Sequence, residues 1–337
     1  MKIAIDARTI ATSTGRYIER LLTYLQQADE DNEYLVLVRS QDKQYWQPAG
    51  ENFRIVEADF ADFSLAEQLG LLRLLRRLQP DLVHFCMPQF PVLYRGRFVS
   101  TVHDLTVFHP LAGPGNTVRS QLSFRLRRLV FGHVLRRAVT GAQRVITPSE
   151  FTRGALLERI DGALHENIHV TYEAADPISV EPAPMAELAD ARFALYVGRA
   201  WPSKNLRTLI DAYGSVKKKH PDLKLVLAGR REACHDDLQA YARQQGIADI
   251  RFPGFVSEGQ LRWLYENAAV YVFPSFSEGF GLPGLEAMQH GAPVLASNSV
   301  QSGRAGAGFC PGLPALAGRL VWCRRCQADR RSRCPHR

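Results

Sequence analysis

Short apolar runs rich in β-branched residues alternate with longer amphipathic segments along most of this chain. In the first half the runs predict strands at 2–6, 34–38, 54–57, 82–86, 98–103 and 144–148. In the second half they predict strands at 193–197, 223–228, 250–252, 270–273 and 293–296. Strands that alternate with helical segments are typical of βα units, which form parallel sheets. The pattern therefore predicts an α/β protein.

Leucines at helical spacing mark the helices between these strands. The clearest are 65–78 and 118–138, in which arginines occupy the side opposite the leucines. A third predicted helix, 206–217, follows Asn205, a residue type that often caps the first turn of a helix. We therefore expect the side chain of Asn205 to cap this helix.

A segment without periodicity separates two copies of the strand and helix pattern. It begins after residue 173, and its first part, AADPISVEPAP, contains three prolines and two acidic residues. This composition is typical of a linker. We predict a first domain at 1–173, a linker at 174–189 and a second domain at 190–299. The length of 337 residues suits two domains of about 150 residues each.

The formal net charge of +8 is concentrated at the end of the chain. Residues 300–337 contain eight arginines, one aspartate and no lysine, so the rest of the chain is close to neutral. We therefore expect no nucleic-acid partner. The first residues, MKIAID, lack an apolar leader segment, and no apolar run reaches the roughly 18 residues of a membrane span. These features predict a cytoplasmic protein.

The last segment, 300–337, differs in composition from everything before it. It uses arginine without lysine, is rich in glycine, proline and cysteine, and shows no hydrophobic periodicity. A GC-rich gene translated out of frame has this composition, so we interpret the segment as a frameshifted, non-native tail behind a truncated second domain. The chain as written is then expected to have low activity. The alternative interpretation is a zinc site formed by Cys310, Cys323, Cys326 and Cys334.

The strongest motif follows the predicted strand 270–273 and reads FPSFSEGFGLPGLEAMQHG over residues 273–291. Its glycines let the backbone approach a ligand, Pro283 suits a first helical turn, and Gly291 suits the residue after a helix end. The positive end of such a helix favours an anion such as a diphosphate. Glu278 and Glu286 are suited to accept hydrogen bonds from sugar and ribose hydroxyl groups. Without this context, two glutamates at such spacing are usually an exposed helix face.

A second motif lies at the end of another predicted strand and reads YVGRAWPSKNL over residues 196–206. Gly198 permits a sharp turn after the strand. Arg199 and Lys204 place two cations where a departing nucleoside diphosphate would accumulate negative charge. Without the first motif, this segment would be interpreted as an ordinary surface turn.

Together the two motifs resemble the family-four retaining glycosyltransferases, and the likeness covers essentially residues 1–298. The resemblance implies the GT-B fold, two Rossmann-like domains facing a cleft, with the second domain incomplete here. It implies that Arg199 and Lys204 bind the donor diphosphate, that Glu278 contacts the transferred sugar and that Glu286 holds the ribose. The backbone of the loop between the two glutamates would orient the sugar, through Gly279, Phe280, Gly281 and Leu282.

The first domain adds further matches to the same family. Thr14 and Gly15 follow the first strand and resemble the family's N-terminal glycine loop, which borders both substrates. His103 and Asp104 end a strand and match the His-Asp position near the transferred sugar and the acceptor. In the second domain, Val256 falls where the family's backbone often meets the base. A tight turn at Gly15 and a hydrogen-bonded strand-end histidine at His103 are the structural alternatives.

The resemblance implies transfer of a hexose, with retention, from a nucleotide sugar to a saccharide or polyprenyl-linked acceptor. Mannose from GDP-mannose is the first expectation for the donor, and the mechanism is expected to need no metal or other cofactor. The basic amphipathic helix 118–138 suggests peripheral contact with the inner face of a membrane, although an ordinary exposed face fits it equally. The rival functions are a nucleotide-sugar-binding protein without catalysis and a nucleotide-sugar epimerase.

Overall fold

The computed structural model describes residues 1–12, 14–108, 118–297 and 321–323, with backbone alone for 118–123, 233 and 321–323. The chain divides into two compact units, and the division falls between Glu173 and Ala174. Each unit is built around one central sheet.

The sheet of the first unit has seven strands among the described residues, and all of them run parallel. In chain order they are β1 (Lys2–Asp6), β2 (Glu33–Val38), β3 (Phe53–Glu57), β4 (Leu82–Phe85), β5 (Phe98–Thr101), β6 (Arg144–Thr147) and β7 (Ile168–Val170). Their order across the sheet is β3-β2-β1-β4-β5-β6-β7. This is the doubly wound order of a Rossmann-like domain, and it confirms the predicted α/β class.

Helices cover both faces of this sheet. They are α1 (Gly15–Ala28), α2 (Leu72–Leu78), α3 (Val118–Gly141) and α4 (Glu150–Arg159). Successive strand residues belong to different apolar clusters: Ala4 packs in one cluster and Ile5 in the other. Both faces of a parallel sheet are therefore buried, as its continuous apolar strands require.

The segment predicted as a helix over 65–78 is helical throughout, but it is not α-helical along its whole length. A π-helical turn, Glu67–Leu71, precedes α2. The turn accompanies the complete burial of the Glu67 side chain, whose carboxylate accepts a hydrogen bond from Arg8 at 2.9 Å. A buried ion pair is a tertiary contact, so periodicity could not show it.

In the described part of the second unit, the sheet has six strands. They are β8 (Phe193–Val197), β9 (Lys224–Ala228), β10 (Ile250–Gly254), β11 (Val270–Phe273), β12 (Val294–Ala296) and β13 (Val321–Cys323). Their order is β10-β9-β8-β11-β12-β13, and β13 alone pairs antiparallel among the strands that the structure describes. The five predicted strands are present. The sixth comes from the segment expected to be non-native; the rest of that segment, with Cys310, Cys326 and Cys334, lies outside the described residues.

The helices of the second unit are α5 (Leu206–Lys217), α6 (Ala233–Gln244), α7 (Glu258–Asn267) and α8 (Leu282–Gln289). As in the first unit, alternate strand residues enter different clusters, with Leu195 on one face and Tyr196 on the other. Among the described helices, none is both long and apolar enough to cross a membrane.

The segment predicted as a linker, 174–189, packs along the second unit. Ile178 and Met185 contact one of its apolar clusters. The backbone N–H of Ala183 donates to the carbonyl of Gly259 at 3.0 Å. A side chain at Gly259 would lie 2.6 Å from a backbone oxygen of this segment, so the glycine permits the close approach. The segment is thus held in place, although its composition resembles that of a flexible linker.

Both sheets reverse their strand order near the middle. The reversal falls between β1 and β4 in the first sheet and between β8 and β11 in the second. In open parallel sheets, ligands bind outside the carboxyl ends of the strands at such a point. Both motifs singled out from the sequence of the second domain begin there, since they follow β8 and β11.

Candidate functional site

An ion pair joins the two second-domain motifs. The Nζ atom of Lys204, which follows β8, lies 2.6 Å from Oε1 of Glu278, which follows β11. The two side chains are 21% and 15% exposed, so the pair is largely shielded from water. Charge pairs in such surroundings are screened less than pairs on the open surface. Two residues separated by 74 positions therefore form an ion pair at the point where the strand order reverses.

Two hydrogen bonds to backbone carbonyls hold the same two loops together. The side-chain amide of Asn205 donates to the carbonyl of Pro274 at 3.2 Å. The backbone N–H of Phe276 donates to the carbonyl of Ser203 at 2.9 Å. The expectation that Asn205 caps α5 with its side chain is wrong. Its backbone adopts the left-handed conformation, with φ +58°, and its amide is directed to the neighbouring loop instead.

Two glycines allow the loops after β8 and β9 to touch. Gly198 has φ +148°, and its N–H donates to the carbonyl of Ala228 at 2.9 Å. A Cβ atom on Gly229 would lie 2.0 Å from the carbonyl oxygen of Gly198, closer than atoms can approach. The sequence drew attention to Gly198; the role of Gly229 is visible only in the structure.

Arg199 belongs to a different ion pair from Lys204. Its Nε atom donates to Oε1 of Glu232 at 3.1 Å, and its Nη2 atom donates to the same oxygen. The guanidinium carbon lies 4.4 Å from the ring centroid of Trp201, a cation–π arrangement. The hydrogen bond from Arg199 is the main cause that lowers the pKa of Glu232. The two predicted phosphate-binding cations are therefore held separately.

Glu286 is a buried carboxylate, with 4% of its surface exposed. Its Oε2 atom accepts a hydrogen bond from the hydroxyl of Tyr265 at 3.1 Å. It lies one turn into α8, whose preceding residue, Gly281, has φ +100°. A side chain on Gly281 would lie 3.2 Å from the ring of Phe273, so the sharp turn before α8 requires glycine.

The loop from Glu278 to α8 keeps the geometry expected from its sequence. Gly279 and Phe280 lead to Gly281, and α8 begins at Leu282 with Pro283 in its first turn. The first N–H groups of an α-helix lack partners within the helix, so this end can receive an anion. Val256 lies after β10, and its side chain packs against an apolar cluster of the second unit.

In the first unit, both ring nitrogens of His103 face oxygen atoms. Nε2 lies 3.0 Å from the carbonyl of Cys86, and Nδ1 lies 3.3 Å from Oε1 of Glu173. The ring of Tyr17 meets the imidazole edge to face, with centroids 4.7 Å apart. Since a carbonyl only accepts hydrogen bonds, Nε2 carries a proton. Asp104 is exposed, and its carboxylate accepts the N–H of Thr106 at 2.8 Å.

The predicted glycine loop follows β1 and opens α1. Its Gly15 N–H donates to the carbonyl of Thr12 at 3.0 Å. A Cβ atom on Gly15 would lie 1.7 Å from the carbonyl oxygen of Ile10, so only glycine fits. The hydroxyl of Thr14 lies 3.0 Å from that of Thr12. The tight turn is therefore present at the edge of the sheet where the order of the strands reverses.

Two family models together cover both units. The model described as Glycosyltransferase Family 4 matches residues 14–177, and the model described as Glycosyl transferases group 1 matches residues 181–304. The chain belongs to the family 4 glycosyltransferases. The GT-B fold class predicted from the sequence is confirmed by the same matches and by the two sheets.

Individual relatives agree with this family. O-antigen chain mannosyltransferase B of Escherichia coli is 33% identical over 227 residues, which cover 63% of this chain and 56% of that protein. The sucrose-phosphate synthase of Thermosynechococcus elongatus shares the fold, with TM-score 0.66 and 19% identity over 88% of this chain and 81% of that one. Anabaena HepE in complex with UDP-glucose gives TM-score 0.60 and 17% identity, over 88% and 80%. The chain spans about half the length of the curated relatives it matches.

Sequence reasoning missed three residues that contact or position the candidate residues of the two units. Glu232 holds Arg199, Gly229 lets two loops touch, and Glu173 contacts His103. Glu232 and Gly229 both follow β9, the strand next to β8 in the sheet. The end of a strand beside a recognised motif was therefore a usable signal for those two. Glu173 gave no such signal, because it follows β7, which is separated by β6 from β5, the strand before His103.

Proposed function

We propose that this glycosyltransferase moves a hexose from a nucleotide sugar to a saccharide or lipid-linked acceptor, with retention at the anomeric carbon. The reaction would serve the synthesis of a cell-surface polysaccharide or glycolipid. Mannose from GDP-mannose is the proposed donor, because the O-antigen chain mannosyltransferase B of Escherichia coli is 33% identical to this chain. UDP-glucose, which is bound in the HepE structure, is the donor against which the proposal is compared.

The ion pair between Lys204 and Glu278 is the observation that carries this proposal. It brings a cation and a carboxylate together, 2.6 Å apart, where parallel sheets bind ligands. Lys204 has three N–H donors, so it can contact Glu278 and a phosphate oxygen together. Glu278 can likewise accept a hydrogen bond from a sugar hydroxyl while it contacts Lys204. The pair would thus connect the diphosphate to the transferred sugar.

The remaining donor contacts follow from the same geometry. Arg199 and Lys204 would stabilise the charge that develops on the departing diphosphate. Backbone N–H groups of residues 279–282 and the start of α8 would hold the donor phosphates and orient the sugar. Glu286, held by Tyr265, would accept hydrogen bonds from the ribose. The backbone near Val256 would meet the base.

No metal is required by this proposal. Two cationic side chains supply the positive charge that a divalent ion would otherwise supply to the leaving diphosphate. The leaving diphosphate itself would accept the proton of the attacking acceptor hydroxyl on the same face of the sugar, which gives retention.

The first unit is proposed to serve the acceptor. His103, whose Nε2 donates to the Cys86 carbonyl, and Asp104 would lie near the transferred sugar and acceptor, together with the loop at Thr14 and Gly15. For a polyprenyl-linked acceptor, α3 is the proposed contact with the inner face of the membrane. Its exposed Leu126 and Leu129 lie among arginines, a combination suited to anionic lipid.

The test is a transferase assay with radiolabelled GDP-mannose and UDP-glucose and a bacterial lipid extract as acceptor. It is run on the 337-residue chain and on a version in which the reading frame after residue 299 is restored. The anomeric configuration of the product is read by NMR. The matched variants are Lys204→Ala and Lys217→Ala, because both lysines pair with a carboxylate, at 2.6 and 2.7 Å, and are similarly exposed.

We expect transfer with retention, lost in Lys204→Ala and kept in Lys217→Ala. Donor binding without transfer in the frame-restored chain would instead indicate a nucleotide-sugar-binding protein. Conversion of the free donor to its sugar epimer would indicate an epimerase. An inverted product would contradict the proposed mechanism.

A further inference from the structure

Three side chains at the ends of β8 and β9 form a closed set of contacts, which we call the Arg199 clamp. It consists of Arg199, Trp201 and Glu232. Oε1 of Glu232 accepts from Nε and Nη2 of Arg199, and Oε2 accepts from the indole N–H of Trp201 at 3.2 Å. The guanidinium lies over the same indole ring at 4.4 Å. Each member therefore contacts the other two.

Glu232 is fixed independently of Arg199. It is the residue before α6, and its backbone carbonyl accepts the N–H of His235, the third residue of that helix, at 2.8 Å. In return, the Nδ1 atom of His235 lies 3.3 Å from the N–H of Glu232. His235 is itself buried. The residue whose carboxylate holds Arg199 is thus anchored through its backbone to the start of a helix.

The backbone fixes the separation of the two loops. The N–H of Gly198 bonds to the carbonyl of Ala228, and Gly229 approaches so closely that a Cβ atom would lie 2.0 Å from the Gly198 oxygen. Arg199 and Glu232 therefore start from backbones that cannot slide apart. An arginine side chain has several rotatable bonds, and this scaffold restricts it to one direction.

The shape of the guanidinium allows Arg199 to contact Glu232 and a second anion at the same time. Glu232 engages the edge formed by Nε and Nη2, whereas a guanidinium has a second edge, formed by Nη1 and Nη2. A second anion can therefore bind Arg199 while Glu232 stays in place. Because the guanidinium of Arg199 is oriented in advance, less entropy is lost when a phosphate binds.

We propose that Glu232 is a positioning residue that, with Trp201, holds Arg199 in the orientation that receives the diphosphate of a nucleoside diphosphate. This inference rests on the proposed function, because it assigns Arg199 to the donor. It predicts that the negative charge of Glu232, although it lies beside the site of an anion, strengthens nucleotide binding. A carboxylate that competed with the diphosphate for Arg199 would weaken it.

Intrinsic fluorescence of the full-length chain, titrated with GDP and separately with UDP, reports binding near Trp201. Trp201 is one of four tryptophans and is 44% exposed. Trp201→Phe keeps a ring under Arg199 but removes the indole N–H, so it should lose most of the signal. Affinities of all variants are measured by calorimetry.

Two substitutions separate the roles of Glu232. Glu232→Gln keeps the length of the side chain but removes the charge, and the backbone bond to His235 is unaffected. Serine is a preferred residue before a helix, so Glu232→Ser keeps the start of α6, but its side chain is too short to reach Arg199. Glu266→Gln, which breaks the exposed pair with Arg262 at 2.7 Å, is the matched control for loss of one carboxylate.

We expect both Glu232 variants to weaken binding of the nucleoside diphosphate about tenfold. This corresponds to one charge-assisted hydrogen bond from Arg199 to the diphosphate that is no longer aligned. The Tm of each Glu232 variant should differ from that of the unaltered chain by no more than the Tm of Glu266→Gln does. In the frame-restored enzyme the same variants should raise the donor KM more than they lower kcat. Equal or tighter binding in Glu232→Gln overturns the positioning role while leaving the proposed function standing. Failure of both the 337-residue chain and the frame-restored version to bind either nucleotide overturns both.

Discussion

Replacing His84 by glutamine should make the first unit less sensitive to acid. His84 lies on β4, and its Nε2 atom is 2.8 Å from the hydroxyl of Thr101. Burial, with a smaller effect from nearby His103, lowers the pKa of His84 to about 4 from 6.5. Glutamine can keep the hydrogen bond to Thr101 but does not titrate.

The direction of the effect follows from proton binding. Between pH 6.5 and about 4 the unfolded chain protonates His84 more readily than the folded chain, so stability rises with pH in this window. The contribution is complete above the unfolded pKa and is lost as the pH falls toward the folded one. The pKa difference corresponds to about 3 kcal/mol, of which about 2 kcal/mol is lost at pH 5. Because His84 keeps part of its surface exposed, these values are upper limits.

Thermal melts of the unaltered chain and of His84→Gln, recorded from pH 7.5 to 4.5, measure this difference. For a unit of this size, about 2 kcal/mol corresponds to a Tm change of about 4–8 °C. His235 and His290, whose pKa values are also lowered by burial, affect both proteins equally and cancel in the comparison. Two Tm curves that stay parallel down to pH 4.5 would refute the argument.

Other substitutions test the donor site and the backbone. Lys204→Ala and Glu286→Gln should each weaken donor binding by about 1.5–3 kcal/mol in calorimetry, because each removes a charged hydrogen-bond partner. Glu286→Gln should leave the melt unchanged, whereas Lys204→Ala should lower it, because the ion pair with Glu278 is then lost. EDTA should leave transferase activity intact; loss that Mg²⁺ restores would contradict the metal-free mechanism. Gly229→Ala should destabilise the second unit by about 1–3 kcal/mol through its clash at 2.0 Å. Gly154→Ala, on α4 with open space around the glycine, should instead stabilise the chain by about 0.4–1 kcal/mol.

Local signals in the sequence identified the elements and the family. Apolar runs located eleven of the thirteen described strands to within a few residues, since a parallel sheet buries both faces of each strand. They did not predict β7 and β13, which are three residues long. The predicted helix 206–217 agrees with α5, Leu206–Lys217. Glycine and proline marked the turn before α8, because φ +100° at Gly281 and a proline in the first turn are requirements of the backbone itself.

Residue type and composition were poorer guides to which contacts a segment makes. The segment 174–189 has the prolines and acids of a linker, yet it packs along the second unit through Ile178 and Met185. Asn205 is a good capping residue by type, yet it bonds to Pro274. In both cases a contact distant in sequence prevailed over a local preference.

The sequence by itself determined the strand and helix pattern, the α/β class, the glycines that the turns require and the family to which the two motifs belong. Only the tertiary structure decided which side chains meet: Lys204 with Glu278, Arg199 with Glu232, and His103 with Glu173. The reason is physical. Backbone conformation depends on neighbours a few residues away, whereas an ion pair depends on where strands distant in sequence end in the sheet, and nothing in the local sequence specifies that order.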